Sequence, residues 1–150
     1  LGLGVGANDA EAVLRGLPSM ALRYAAQDAA ARQLAQWLAT RPEVAQVLHP
    51  ALPGSPGHAH WARHCTAAAG LFTLRFRDDI ADERVLAFCD ALRLFKLGYS
   101  WAGPLSLVVP YEVAQLRGAG RGVLVRLSMG LEAVADLQAD LEQALAVLTA

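Results

Sequence analysis

Apolar residues recur along this chain with the periods that regular elements require. Val123, Val125, Leu127 and Met129 alternate with Leu124, Arg126 and Ser128, which predicts a strand over Val123–Met129. Phe72, Leu74 and Phe76 alternate with Thr73, Arg75 and Arg77, predicting a half-buried strand over Gly70–Arg77. Helical spacing joins Val134, Leu137, Leu141, Leu145 and Leu148, so Leu131–Leu148 reads as an amphipathic helix. Val85, Phe88, Cys89 and Leu92 place another over Asp82–Leu92. Ala26, Ala30, Leu34, Trp37 and Leu38 mark a longer helix, capped by Ser19 and running to about Ala39. A short helix, Asp9–Arg15, precedes it. Asn8 and Glu11 form its capping box, and Gly16 and Pro18 end it.

Val44–His49 and Leu94–Leu97 read as short strands. Pro50–Gly57 and Gly118–Gly122 read as loops. The resulting order predicts an α+β fold, a small mainly antiparallel sheet with helices packed on one face. Residues 1–40 read as a connecting helical arm and residues 41–150 as the domain proper.

The length of 150 residues suits one domain. A net charge of −1 gives no electrostatic signal for nucleic acid or an anionic membrane. With 55% hydrophobic and 18% charged residues the chain is too apolar for disorder, and its apolar surplus points to a surface facing a partner. No run approaches the roughly 18–20 residues of a membrane helix, because Leu97–Tyr111 holds Pro104 and Pro110. Cys65 and Cys89 without a CxxC fit a reducing, cytoplasmic setting. The opening Leu1-Gly2-Leu3-Gly4 is not a signal peptide and reads as the interior of a longer polypeptide.

Arg126 stands out among the candidates for chemistry, a guanidinium set inside an apolar strand. Its planar fork suits a carboxylate or phosphate, supplied either by a structural Asp or Glu or by a ligand. Tyr99-Ser100-Trp101 places a phenol, a hydroxyl and an indole on a glycine-flanked loop, either as functional groups or as a packed turn. His58, His60, His64 and Cys65 lack the paired spacing of a zinc site and read as surface residues, so no metal is expected. The run Gly2-Leu3-Gly4-Val5-Gly6 lacks the strand and Lys-Ser/Thr of a phosphate loop. Cys89 reads as core.

Several segments, taken together, resemble the C-terminal domain of the cystathionine β-lyases, within the Cys/Met-metabolism family of pyridoxal-phosphate enzymes. They are Asp9–Leu17, the run from Val44 through His49-Pro50-Ala51-Leu52-Pro53-Gly54 to His58, Trp61, Gly70-Leu71-Phe72, Leu94–Trp101, and Leu124–Glu132. The Tyr99-Ser100-Trp101 triplet favours the β-lyase branch over γ-synthases and γ-lyases. The chain departs from the family pattern at Pro18-Ser19-Met20, at Ala102 in place of a glycine, and at Leu105, where a glutamate is common.

The resemblance implies the fold of the C-terminal domain of fold-type I, aspartate-aminotransferase-like enzymes. It implies that Arg126 holds the substrate α-carboxylate and that Trp101 lines that site. By the same resemblance Ser100 orients the Schiff-base lysine and Tyr99 stands at the rim. The cofactor, pyridoxal 5′-phosphate, would be bound mainly by a large preceding domain outside this chain. Lys96, the chain's one lysine, lacks the Ser-x-x-Lys context of the cofactor lysine.

The implied reaction of the whole enzyme is β-elimination of cystathionine to homocysteine, pyruvate and ammonia, within methionine biosynthesis. Its partners would be the chain's own large domain and the other subunits of a homotetramer, with no nucleic acid or membrane. The isolated chain is expected to be inactive. The alternatives are a γ-lyase, γ-synthase or O-acetylhomoserine sulfhydrylase relative, or a non-catalytic small-ligand module.

Overall fold

A computed structural model of the chain describes Gly2 and residues 4–112 and 122–149. The elements in order are α1 (Ala7–Leu38), β1 (Val44–Leu48), α2 (His58–His64), β2 (Leu71–Phe76), α3 (Asp82–Ala91), β3 (Lys96–Leu97), β4 (Leu107–Glu112), β5 (Val123–Ser128) and α4 (Val134–Leu145). A 3-10 turn over Ala146–Leu148 follows α4. The five strands form one sheet in the order β1-β2-β5-β4-β3. All neighbours are antiparallel except β3 and β4, which run parallel.

The alternation in β2 and β5 assigns the two faces of this sheet. Phe72 pairs with Leu127 and Leu74 with Val125, and on the other side Val108 pairs with Leu127. These side chains point to the helices, and with Leu34, Phe88, Leu137, Leu141 and Leu145 they form a single buried core. Phe76 meets Phe88 edge to face at 5.2 Å between ring centroids. The opposite face carries Thr73, Arg126 and Val109 in one row, and Arg75, Leu124 and Tyr111 in the next. The α+β layer design expected from the sequence is the one observed.

Three details differ from expectation. The two N-terminal helices are one helix of 32 residues with Pro18 inside it. Proline cannot bond to the carbonyl four residues back, but side chains support the turn around it. The Ser19 hydroxyl and Arg23 Nη2 both donate to the Gly16 carbonyl, at 3.2 and 3.0 Å, and Arg23 Nε donates to Ser19 Oγ at 3.1 Å. Ser19 is therefore not a cap, and the observed N-cap is Gly6 rather than Asn8. Second, α2 forms over His58–His64, where no element was expected.

Third, β4 forms despite Pro110. Only Leu107 and Val108 pair with β3, so Pro110 lies past the end of that neighbour, where no ladder bond is lost on that side. Residues 118–121 of the expected Gly118–Gly122 loop lie outside the described residues. Gly122 itself takes the left-handed conformation, with φ 108°.

The expected arm is not uniform along its length. From Gln27 onward α1 buries Ala30, Ala31, Leu34, Ala35 and Leu38 in the core, whereas Val13, Leu14, Leu17, Met20 and Leu22 are exposed. Unfolding of the 150-residue chain in urea is expected to separate the two halves. Leu34→Ala should cost about 2–5 kcal/mol, and Leu22→Ala should stay within about 0.5 kcal/mol of the parent.

Candidate carboxylate site on the open face of the sheet

β5 places Arg126 on the face turned away from the helices, between Thr73 of β2 and Val109 of β4. The parallel pairing of β3 with β4 obliges residues 98–106 to double back, which projects Tyr99-Ser100-Trp101 beside that guanidinium. Arg126 Nη2 donates to the carbonyls of Tyr99 at 2.8 Å, Ser100 at 3.2 Å and Gly98 at 3.4 Å. Its Cζ lies 6.0 Å from the Trp101 ring centroid and 5.7 Å from that of Tyr111, within cation–π range. Tyr111 meets Tyr99 edge to face at 6.1 Å.

Among the described residues Arg126 makes no ion pair. Its Nε is buried with no hydrogen-bond partner. The alternative of an internal salt bridge to a structural Asp or Glu is thus not the arrangement seen among those residues. Main-chain oxygens and aromatic faces surround the cation instead. Tyr99 and Trp101 are 74% and 59% exposed, which leaves one side of the site open.

The loop is pinned where it rejoins the sheet. Glu132 accepts from the Ser106 backbone N–H and hydroxyl, each at 2.8 Å, while the Gly130 N–H donates to Ser106 Oγ at 2.8 Å. The Leu131 N–H donates to the Pro104 carbonyl at 2.9 Å, and Gln27 Nε2 to the Gly103 carbonyl at 2.8 Å. A side chain at position 130 would strike the Glu132 carboxylate and come within 2.5 Å of Pro104 O and Leu105 C, so Gly130 is required by close approach. Ala102 takes a left-handed conformation with φ 59°, at the position where the family pattern has glycine.

Spacing alone did not single out Tyr111, Glu132 or Ser106. Tyr111 lies in the strand that Pro110 obscured. The other two are polar residues in turns, with no periodicity to mark them.

The remaining sequence candidates fall elsewhere. His58 stacks on Trp61 at 5.8 Å, and its Nδ1 is hydrogen-bonded with the Pro50 carbonyl at 2.9 Å. Among the described residues no group of three or more His, Cys, Asp or Glu side chains can hold a metal, a statement that covers His60, His64 and Cys65. Cys89 is buried, and burial pushes its thiol up to about 12, so it is inert core. Lys96 Nζ donates to the Arg93 carbonyl at 2.6 Å. No helix among the described residues is long and apolar enough to cross a membrane.

His49, within the motif His49–His58, is fully buried. Its Nδ1 accepts the Ala51 N–H at 3.2 Å, so the proton of the neutral ring resides on Nε2. Burial and the nearby Arg32 charge hold its pKa below the usual 6.5. Arg32 in turn pairs with Asp28 at 2.9 Å, and Asp28 accepts the Ala68 N–H at 2.7 Å.

The chain's relatives share this frame. Residues 1–146 match the family model of Cys/Met metabolism PLP-dependent enzymes. The chain is 42% identical over 134 residues to a cystathionine β-lyase of Salmonella typhimurium, covering 85% of this chain and 34% of that protein. It is 38% identical over 144 residues to a cystathionine γ-synthase of Mycobacterium bovis, covering 91% and 36%. The solved O-acetylhomoserine sulfhydrylase of Wolinella succinogenes superposes with a TM-score of 0.87 at 32% identity, covering 96% of this chain and 40% of that one. The chain belongs to the Cys/Met-metabolism family of pyridoxal-phosphate-dependent enzymes. It spans between a third and two-fifths of the length of these relatives.

Two measurements check this geometry. Ala102→Gly should stabilise the chain by roughly 0.5–1 kcal/mol in urea, since it removes a left-handed penalty larger than the added chain entropy. Stability should fall as the pH drops from 7 through 6.5 and below, because the unfolded His49 takes up a proton there while the folded ring stays neutral to lower pH. A His49→Gln variant should lose that part of the pH dependence.

Proposed function

We propose that this chain is the part of a pyridoxal-phosphate-dependent carbon–sulfur lyase that recognises the α-carboxylate of an amino-acid substrate. One observation carries the reading. Arg126 lies on the open sheet face without an ion-pair partner among the described residues, fixed by loop carbonyls and flanked by Trp101 and Tyr111. A guanidinium held in this way keeps its remaining donors for a planar anion. Trp101 shields one side of the bound carboxylate. Tyr99 closes the rim, and Ser100 is assigned to orienting the lysine that binds the cofactor.

No cofactor-binding residue is proposed within this chain. The ammonium of the one lysine, Lys96, is bonded to the Arg93 carbonyl. The cofactor and its lysine are assigned to the remaining length that the relatives possess. In keeping with this, Val13, Leu17, Met20 and Tyr24 recur at i, i+4, i+7 and i+11 on α1 and are all exposed, an apolar stripe suited to that larger domain. Residues 1–40 are accordingly proposed as the connecting arm of a cytoplasmic oligomer, with 41–150 as its C-terminal domain.

The substrate proposed is cystathionine and the reaction β-elimination, on the strength of Tyr99-Ser100-Trp101 and of relatives named cystathionine β-lyase. The contribution of this chain is orientation. A carboxylate fixed by Arg126 fixes the direction of the bonds at the adjacent carbon.

In the full-length protein, Arg126→Ala should lower kcat/KM by about 10- to 150-fold, the loss of one charged hydrogen-bonded contact. The α-methyl ester of the substrate should show little further loss on that substitution. Equal losses for acid and ester would remove Arg126 from carboxylate recognition. Pyruvate as product supports β-elimination, and 2-oxobutyrate would assign γ-elimination instead.

A further inference from the structure

Asp140 lies on the buried stripe of α4 between Leu137 and Leu141 and is 6% exposed. Among the described residues no cation pairs with it. Its carboxylate instead accepts three consecutive backbone N–H groups. Arg93 donates at 2.8 and 3.1 Å to the two oxygens, Leu94 at 2.7 Å and Phe95 at 3.3 Å. Successive N–H groups converging on one anion form a nest. Gln143 completes the arrangement, its Nε2 donating to Asp140 Oδ1 at 3.2 Å and to the Ala91 carbonyl at 2.8 Å.

These contacts occupy the short connection between α3 and β3. With only two residues, β3 has few ladder bonds of its own: Lys96 N–H donates to Ser106 O at 3.0 Å and Gly98 N–H to Val108 O at 3.2 Å. The next residues, Gly98, Tyr99 and Ser100, are those whose carbonyls meet Arg126. The backbone that holds the guanidinium therefore takes its starting position from a carboxylate on the helical side of the sheet. Where the loop rejoins the sheet, Glu132 plays the matching part at Ser106.

We propose that Asp140 is a positioning residue for substrate carboxylate binding, anchoring the stem of the Gly98–Trp101 loop so that its carbonyls aim Arg126. The proposal rests on the reading of Arg126 as the carboxylate ligand. Asn is nearly isosteric with Asp, but it replaces one acceptor oxygen with an amide that faces N–H donors.

The test is Asp140→Asn in the full-length protein. The backbone amides of Lys96 and Gly98, which bond Ser106 O and Val108 O, should exchange with solvent roughly tenfold faster, with β5 and the buried half of α1 unchanged. KM for the amino-acid substrate should rise roughly tenfold with kcat within about twofold, and the substitution should add nothing in an Arg126→Ala background. Faster exchange confined to residues 92–95, or spread evenly over the protein, overturns the proposal. So does a KM effect that persists in full without Arg126.

Should Arg126→Ala leave the kinetics untouched, the carboxylate reading fails, while the exchange pattern still decides whether Asp140 holds the loop. If Asp140→Asn does not fold, Gln143→Leu gives the same readouts, with an expected change of about threefold.

Discussion

The register of β5 is the constraint on which everything else rests. This strand lies between β2 and β4, and its residues 124–128 each have a partner on both sides. Its odd positions face the helices and its even positions face outward. A slip by one residue would drive Arg126 into the core and turn Val125 and Leu127 to solvent. The burial of Phe72, Leu74, Val108 and the α4 leucines forbids that slip. The hydrophobic core thus does more than stabilise: it selects the one register in which a guanidinium stands on the open face.

Three charged groups around the loop are satisfied by the main chain and not by one another. Arg126 is met by carbonyl oxygens, while the carboxylates of Asp140 and Glu132 are met by backbone N–H groups. Opposite charges are kept on separate main-chain segments instead of neutralising each other. The backbone between them then carries the geometry from one side of the sheet to the other. A direct ion pair at Arg126 would have bound the cation more simply and removed it from use.

The strands β2 and β5, the helices α3 and α4 and the second half of α1 were legible in the sequence because each buries one face, and burial writes a period into the residues. Arg126 was legible for the complementary reason, as a charge interrupting such a period. Asp140, a carboxylate at a buried position of α4, carries the same signal but was not singled out from spacing. The continuity of α1 was not legible, since it depends on Arg23 and Ser19 reaching the Gly16 carbonyl past Pro18. Nor was β4, whose proline is harmless only because β3 is short. Both depend on neighbours that no local window contains. The roles of Tyr99, Ser100 and Trp101 came from family resemblance, while their closeness to Arg126 follows from the parallel pairing of β3 and β4.

That short β3 has another consequence. The outermost strands of a sheet expose unpaired backbone groups, and a long flat one invites a second copy to add to the ladder. Here one margin is two residues long and carries Lys96, and the other, β1, is broken by a bulge between Val44 and Gln46. Neither margin offers a straight template. Chains of this kind are steered away from strand-to-strand polymerisation, and their association is left to side-chain surfaces, whose chemistry is selective where backbone pairing is not.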